Sequence, residues 1–148
     1  MIQHQEIYYS NHSVQELYDL VIDVTKYPEF IPWCTTARVI EEPTPHTIIA
    51  ELVVTFSGIS EKYTSRVESV AQKNNKAEIN TYNVTGPFKQ LNSRWVFSYD
   101  ASKKKTKVDF YIEFEFASKL LQMMIGSFFE KACIKMLKAF EKRADEIY

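Results

Sequence analysis

Glycine, cysteine and histidine are scarce in this sequence of 148 residues, which contains three, two and three of them respectively. So few glycines argue against a glycine-rich phosphate-binding loop and against a low-complexity linker. Cys34 and Cys133 lie far apart and fit no metal-ligand spacing, and Cys133 is expected to be a small core residue. We interpret the histidines, His4, His12 and His46, as surface residues, although distance in sequence does not exclude proximity in the fold. The sequence thus predicts no metal site.

An excess of one charge and long apolar runs are absent as well. Lysine and arginine total 18 and aspartate and glutamate 19, so the net charge of −1 gives no overall attraction to nucleic acid or to an anionic membrane. No run of 18 apolar residues indicates a transmembrane segment, and the first ten residues do not resemble a signal peptide. We therefore expect a cytoplasmic protein, at most peripheral to the inner membrane, with one domain over residues 1–148.

Aromatic residues, in contrast, are abundant, with ten Phe, nine Tyr and two Trp. Because aromatic side chains are large and rigid, a small domain that contains so many of them has either a bulky core or an apolar cavity.

The C-terminal segment predicts one long amphipathic helix between Ser118 and Tyr148. Ser118 can cap its first turn, and apolar residues follow as adjacent pairs every four residues, which gives a broad apolar face that drifts around the helix axis. Gly126 and Ser127 lie in the middle of this helix and mark a kink or a place of close approach. A face this wide requires a large partner surface.

The segment before this helix predicts a sheet. The expected strands span residues 6–9, 37–42, 47–56, 60–71, 77–85, 88–99 and 106–116. A Ser13–Glu16 capping box predicts a short helix after the first strand, and a second short helix is expected to contain Pro28 in its first turn and to end at Pro32. The order of strand, two short helices, about six antiparallel strands and a long helix is typical of an α+β architecture with its helices on the apolar face of the sheet.

Three motifs stand in the order of a known family. Residues Tyr27–Cys34 read Tyr-Pro-Glu-Phe-Ile-Pro-Trp-Cys after an amphipathic helix. Residues 86–91 read Gly-Pro-Phe-Lys-Gln-Leu and precede a Trp-Val-Phe segment at 95–97. The alternating segment 109–116 leads into the long helix with its glycine. Together these motifs resemble the coenzyme Q-binding START-like proteins of the polyketide cyclase/dehydrase superfamily, which include the bacterial ribosome-association toxins.

The resemblance implies a helix-grip (START/Bet v-like) fold. In that fold a curved antiparallel sheet wraps around the C-terminal helix, two short helices follow the first strand, and an elongated apolar tunnel lies between sheet and helix. The resemblance also implies more than one role. Mitochondrial relatives look like ubiquinone-binding proteins needed for respiration, some bacterial relatives are described as binding the large ribosomal subunit, and remote members include aromatic polyketide cyclases.

The residues expected to bind a ligand are apolar and aromatic side chains of the inner sheet face and of the long helix. They are Tyr63, Trp95, Phe97, Phe110, Ile112, Phe114, Phe116, Leu121, Met124, Ile125 and Phe128. From the residues alone, these side chains either pack on one another or line a cavity for a flat ring or a polyprenyl chain, and the resemblance favours the cavity. Tyr27, Phe30 and Trp33 are a candidate gate at one mouth, or else a rigid turn.

Charged candidates are few. A run of lysines at a hairpin tip is a candidate contact for ribosomal phosphates or lipid headgroups, or else a solvated turn. These lysines are Lys103, Lys104, Lys105 and Lys107. Glu113 and Glu115 have the spacing of an acid/base pair, but their parity places them on the outer face of the sheet. Arg66 is the one candidate for a buried charge. No residue is predicted to be catalytic.

We therefore expect a non-enzymatic protein that binds a hydrophobic small molecule, an isoprenoid quinone such as ubiquinone or menaquinone, as a carrier or chaperone for respiration. It requires no cofactor, and delivery of a membrane quinone implies transient contact with a membrane surface. One alternative is a toxin-like regulator that binds the large ribosomal subunit and blocks subunit association. The other is an enzyme similar to the polyketide cyclases and dehydratases.

Overall fold

The computed structural model describes residues 2–56 and 58–148, apart from the side chains of Phe56 and Ile125. The turn expected at Ser57-Gly58 therefore lies partly outside the described residues. In chain order the elements are β1 (Ile2–Ser10), α1 (Val14–Ile22), a 3₁₀ helix (Val24–Glu29), β2 (Cys34–Thr44), β3 (Thr47–Phe56), β4 (Ile59–Lys73), β5 (Lys76–Thr85), β6 (Phe88–Asp100), β7 (Lys105–Phe116) and α2 (Lys119–Ile147).

The strands form a curved antiparallel sheet in the order β1-β7-β6-β5-β4-β3-β2. From β2 to β7 each strand pairs with the next one along the chain, whereas β1 pairs with β7, so that Ile2 lies opposite Phe114 and Ser10 opposite Thr106. The long helix α2 covers the concave face. The predicted α+β architecture and its order of elements are confirmed.

Strand β7 shows why this sheet has a buried face. Buried and partly exposed residues alternate along it from Thr106 to Phe116, as the apolar alternation predicts. The polar positions lie on the outer face, where Glu113 accepts hydrogen bonds from Gln90 and Asn92 at 3.2 and 3.1 Å. Glu113 therefore belongs to an outer polar network, in agreement with its predicted parity.

The buried-charge candidate Arg66 is not buried. Its side chain is 53% exposed and its Nε lies 2.9 Å from the Glu68 carboxylate, two residues along the same strand. The register shift of the β4–β5 pair between Thr64 and Ser65 does not reverse the parity of Arg66, because β4 pairs regularly with β3 and Arg66 lies opposite Ile49.

The edge strands are longer than their apolar patterns predict. β1 extends back to Ile2 because it pairs along its whole length with β7. β2 extends to Thr44 and includes Pro43, which breaks no sheet because β2 is an edge strand with register shifts between Val39 and Glu41 and between Glu41 and Thr44.

The turns use residues suited to a left-handed backbone. Asn74 and Asn75, at φ 55° and 58°, form the tip between β4 and β5, as the sequence predicts. Gly86, between β5 and β6, has φ 140°, and a Cβ at this position would lie 2.4 Å from the Cβ of Tyr63. Only glycine fits this close approach, which brings β4 against the β5–β6 turn.

The predicted capping box at the start of α1 is confirmed. The Ser13 hydroxyl accepts the Glu16 backbone N–H at 3.1 Å, and the Glu16 carboxylate accepts the Ser13 backbone N–H at 2.9 Å. The second short helix differs from the prediction, since it is a 3₁₀ helix that begins at Val24 and contains Pro28 near its end. The Tyr27 hydroxyl donates to the Val21 carbonyl and so ties this helix back to α1.

The long helix α2 begins where the sequence predicts. Ser118 caps it by accepting the backbone N–H groups of Leu120 and Leu121 at 3.1 and 3.4 Å. The helix continues through Gly126, whose Cα is covered by the Gln122 side chain one turn earlier. No helix in the described part of the chain has an apolar stretch long enough to cross a bilayer.

Candidate functional site

A cavity of about 140 Å³ lies between the concave face of the sheet, the two short helices and α2. Its lining comes from all of these elements and is mostly apolar. The lining residues are Val21, Val24, Tyr27, Trp33, Leu52, Val54, Tyr63, Ser65, Val67, Ile79, Thr81, Phe88, Leu91, Ser93, Trp95, Phe110, Ile112, Phe129, Ala132, Cys133, Met136 and Phe140.

Four of the residues predicted to bind a ligand line this cavity, and all four lie in the sheet. They are Tyr63, Trp95, Phe110 and Ile112. Neighbouring strands bring them together, since Trp95 in β6 lies opposite Phe110 in β7 and their ring centroids are 4.6 Å apart.

Three other predicted residues, Phe97, Phe114 and Phe116, are buried but do not line the cavity. Phe114 packs against Phe129 of α2, with ring centroids 4.2 Å apart, and Phe116 packs against Phe88 at 5.0 Å. These rings hold the lining residues in place. For these three residues, the alternative that the predicted side chains pack on one another is the one observed.

The prediction that Met124 and Phe128 face the cavity is wrong. Their side chains are 45% and 51% exposed, and the helical lining begins only at Phe129. The physical reason is that apolar pairs spaced four residues apart drift around a helix with 3.6 residues per turn. Leu121 is partly buried against the core without lining the cavity, and the Ile125 side chain lies outside the described residues.

The candidate gate is an aromatic cluster that joins the 3₁₀ helix to α2. Tyr27 and Trp33 line the cavity, while Phe30 packs between Tyr27 and Phe140, at centroid distances of 6.0 and 5.1 Å. The guanidinium of Arg143 lies 5.4 Å from the Phe30 ring centroid and 2.8 Å from the Glu29 carboxylate. These contacts hold the candidate gate against α2. That the gate opens stays a prediction.

A small polar group interrupts the apolar lining, and sequence analysis missed it. Thr81 in β5 lies opposite Ser93 in β6, and their hydroxyl oxygens are 2.5 Å apart. Ser65 in β4 is also buried and lines the cavity. The sequence could have indicated that Ser65 points inward, because it lies midway between Tyr63 and Val67 in the strand and therefore shares their parity.

The lining is electrically neutral at physiological pH. Within the described residues it contains no Asp, Glu, His, Lys or Arg. Burial raises the pKa of the Cys133 thiol to about 12, with a smaller contribution from Glu130. Burial also raises the pKa of the Tyr63 phenol above its usual range. The cavity can therefore hold an uncharged group through apolar contacts and hydroxyl hydrogen bonds.

The lysine run lies away from this cavity, at the β6–β7 tip. Lys103, Lys104 and Lys105 are exposed and Lys107 is partly exposed. The Lys103 ammonium lies 4.3 Å from the ring centroid of Tyr9, so part of its charge is engaged within the protein. Lys104 and Lys105, which are also exposed, are therefore the lysines of this tip best placed to contact an anionic surface.

Comparison with known proteins identifies the family. The family model described as polyketide cyclase/dehydrase and lipid transport matches residues 10–141. The chain belongs to this family. The resemblance stated from the three motifs is thereby confirmed, and so is the helix-grip fold.

Other members of this polyketide cyclase/dehydrase and lipid transport family carry different names. The chain is 43% identical over 133 residues to the ribosome association toxin RatA of Rickettsia prowazekii, a match that covers 90% of this chain and 89% of the relative. It is 32% identical over 149 residues to the mitochondrial coenzyme Q-binding protein COQ10 homolog B of Xenopus laevis, covering 99% of this chain and 59% of the relative.

The fold itself recurs in more distant members. The crystal structure of the ZhuI aromatase/cyclase from Streptomyces sp. R1128 superposes with a TM-score of 0.81 at 16% identity, covering 97% of this chain and 93% of the other. At that identity the likeness shows the shared fold alone.

Proposed function

We propose that this protein binds the ring of an isoprenoid quinone in the cavity between the sheet and α2, and that it carries the quinone without changing it chemically. The observation that supports this most directly is the neutral, largely aromatic lining with one hydroxyl pair, Thr81 and Ser93, at which a ring carbonyl can accept a hydrogen bond. The relative named as a coenzyme Q-binding protein supports the same ligand class.

The size of the cavity limits which part of the quinone it holds. About 140 Å³ is close to the engineered apolar cavity of about 150 Å³ that binds benzene, and well below the roughly 300–1,000 Å³ of sites for larger ligands. A volume of this size accommodates about one six-membered ring, and a polyprenyl tail does not fit beside it. In this proposal the ring is enclosed and the tail leaves through the mouth.

Trp33, Val54 and Phe129 are among the lining residues that are partly exposed, and in this proposal the mouth lies beside Phe129. Phe128 and Met124, which lie on α2 just before Phe129, are about half exposed and offer an apolar path for the tail. Burying such side chains under a tail stabilises the complex by roughly 25 cal/mol per Å² of apolar area removed from water.

Tryptophan fluorescence tests this proposal directly, because the only two tryptophans, Trp33 and Trp95, both line the cavity. Titration with a short-chain ubiquinone is expected to quench the emission with one-to-one stoichiometry. Ala132→Phe fills the cavity and should abolish the quenching, whereas Ala139→Phe, on the same helix but outside the lining, should leave it unchanged. No saturable quenching of the unsubstituted protein, or equal quenching of both variants, would overturn the proposal.

A second candidate function is association with the large ribosomal subunit. It is favoured by the relative named ribosome association toxin RatA, which matches over most of both chains. In this case the exposed lysines of the β6–β7 tip would contact ribosomal phosphates. Co-sedimentation with purified large subunits should then fall steeply with salt and be lost in Lys104→Glu/Lys105→Glu. The control Lys135→Glu/Lys138→Glu removes two exposed lysines of α2 and should sediment normally.

The cyclase alternative has less support. General acid–base chemistry needs a group that exchanges protons near neutral pH, and the described lining supplies only hydroxyls, indoles and a thiol whose pKa is raised.

A further inference from the structure

We propose that His12, Glu141 and Asp145 form a binding site for a divalent transition-metal ion such as Zn²⁺. One ligand atom from each of these three side chains lies within 4.8 Å of the other two. The site lies where the loop between β1 and α1 meets the last turns of α2. None of its residues lines the apolar cavity.

The histidine that sequence analysis assigned to the surface is largely enclosed. The His12 side chain is only 12% exposed, and its Nε2 lies 2.6 Å from the Asp145 carboxylate. Its ring also packs against Tyr148, with centroids 6.0 Å apart. An imidazole nitrogen this close to a carboxylate oxygen can share a proton with it or share a metal ion.

Glu141 supplies the second, independent observation. Its Oε1 accepts a hydrogen bond from the Ser10 hydroxyl at 2.9 Å. Its Oε2 is buried and has no hydrogen-bond partner among the described residues. A buried carboxylate oxygen without a partner costs free energy, and an ion is one of the few explanations for such a group. Because Glu141 precedes Asp145 by one helical turn, both carboxylates project from the same face of α2.

The surrounding residues hold the ligands in position. Ser10 and Thr106 are each 1% exposed and lie opposite one another in β1 and β7. Ser10 orients Glu141 and accepts the backbone N–H of His12 at 3.2 Å, while the Thr106 hydroxyl donates to the His12 carbonyl at 2.6 Å. Outer hydrogen bonds of this kind orient the ligands of metal sites.

The donor set selects the type of ion. Imidazole favours zinc and its transition-metal neighbours, whereas magnesium and calcium prefer oxygen ligands alone. Zinc bonds of about 2.0–2.2 Å require ligand atoms roughly 3.4 Å apart in tetrahedral geometry, so side-chain movements of about 1 Å complete the site. Three protein ligands leave one position for water. Because the site joins the first loop to the C-terminal helix, the bound ion would fasten that helix to β1.

The test uses untagged protein treated with a chelator and then dialysed. Isothermal titration with Zn²⁺ is expected to show one site per chain, with no comparable binding of Mg²⁺. Replacing a ligand by Glu141→Gln or His12→Ala should weaken zinc binding by at least the 10- to 100-fold that loss of an outer hydrogen bond typically costs. His46→Ala removes a histidine from the turn after β2 and should bind zinc normally.

Two further measurements keep the result decisive. With free Zn²⁺ at about a hundred times the dissociation constant, the melting temperature should rise by roughly 5–10 °C in the unsubstituted protein and not in Glu141→Gln. Bound Co²⁺ should show visible absorption that His12→Ala alters. Absence of stoichiometric zinc binding to the unsubstituted protein, or binding that persists in both ligand variants, would overturn the assignment.

Discussion

The hydroxyl oxygens of Thr81 and Ser93 lie 2.5 Å apart on neighbouring strands, inside a cavity whose lining is otherwise mostly apolar. Each hydroxyl can donate only one proton, so the pair satisfies one donor and leaves the other free for a ligand. The pair is therefore one place at which the cavity could distinguish a carbonyl-bearing ring from a plain hydrocarbon.

Replacing both hydroxyls should reduce the affinity for a quinone while sparing the fold. A net hydrogen bond contributes about 0.5–1.5 kcal/mol, so Thr81→Val/Ser93→Ala is expected to weaken short-chain ubiquinone binding by roughly 2- to 10-fold in the fluorescence titration. Binding of an apolar ring such as toluene should not weaken. Thr64→Val/Thr85→Val removes an exposed hydroxyl pair, 2.6 Å apart and outside the cavity lining, and serves as the control. An equal loss for quinone and toluene would contradict the assigned role.

The two phenylalanines Phe114 and Phe128 should differ widely in their effect on stability. Phe114 is fully buried against Phe129, so Phe114→Ala is expected to lower the free energy of unfolding by about 3–5 kcal/mol. Phe128 is half exposed, so Phe128→Ala should change it by about 0.5 kcal/mol or less. Urea denaturation measures both. A large loss at Phe128 would show that this side chain is packed inside and that the predicted orientation was correct.

Gly86 should resist substitution more than Gly58 does. Both have a positive φ, but a Cβ at Gly86 would meet Tyr63 at 2.4 Å, whereas none of the described atoms lies within 4 Å of one at Gly58. Gly86→Ala therefore combines backbone strain with a clash and is expected to cost about 3 kcal/mol or more, against about 1–2 kcal/mol for Gly58→Ala. Thermal unfolding of the two variants gives the comparison. An equal loss of stability in both variants would mean that β4 can shift to accommodate the new Cβ with little loss of free energy.

Alkaline pH should weaken the fold through Cys133. Burial raises the pKa of this thiol from an ordinary 9.0 to about 12, so between these values the unfolded chain has lost a proton that the folded protein still holds. The free energy of unfolding therefore falls as pH rises above about 9, and this contribution is fully present below pH 9.

The Cys133→Ala variant separates this effect from others. Its unfolding free energy, measured in urea from pH 8 to 11, should fall less steeply, by up to about 1.4 kcal/mol per pH unit. A residual slope is expected because burial also raises the pKa of Cys34 to about 11. Identical slopes in the variant and the unsubstituted protein would show that Cys133 ionises normally in the folded state.

Much of the fold was predictable because its patterns are local. The alternation in β7, the Ser13 capping box and the Asn74-Asn75 turn each depend on residues close together in the chain. These local features are enough to predict the fold class and the order of helices and strands. The cavity, in contrast, was predicted only from the family resemblance. Packed and lining aromatic residues share the same strand parity, so the sequence does not distinguish Phe114, which packs, from Trp95, which lines the cavity.

The parts that sequence analysis missed depend on distance along the chain or on helix rotation. His12 and Asp145 are 133 residues apart, so no spacing rule connects them. Met124 and Phe128 belong to an apolar stripe that turns away from the sheet toward the start of α2. A four-residue period in a helix of 3.6 residues per turn contains that rotation, but the sequence alone does not say which part of the stripe meets the sheet.

The pairing of β1 with β7 has a consequence for the order in which the protein is made. Gln5 donates a hydrogen bond to Asp109, 104 residues later, so β1 is synthesised well before the strand with which it pairs. Contacts so distant in the chain form slowly, and an unpaired strand edge invites association with other chains. The helix that covers the cavity emerges later still. If the cavity binds a ligand as proposed, we expect binding only after α2 has been synthesised, because α2 supplies part of the lining.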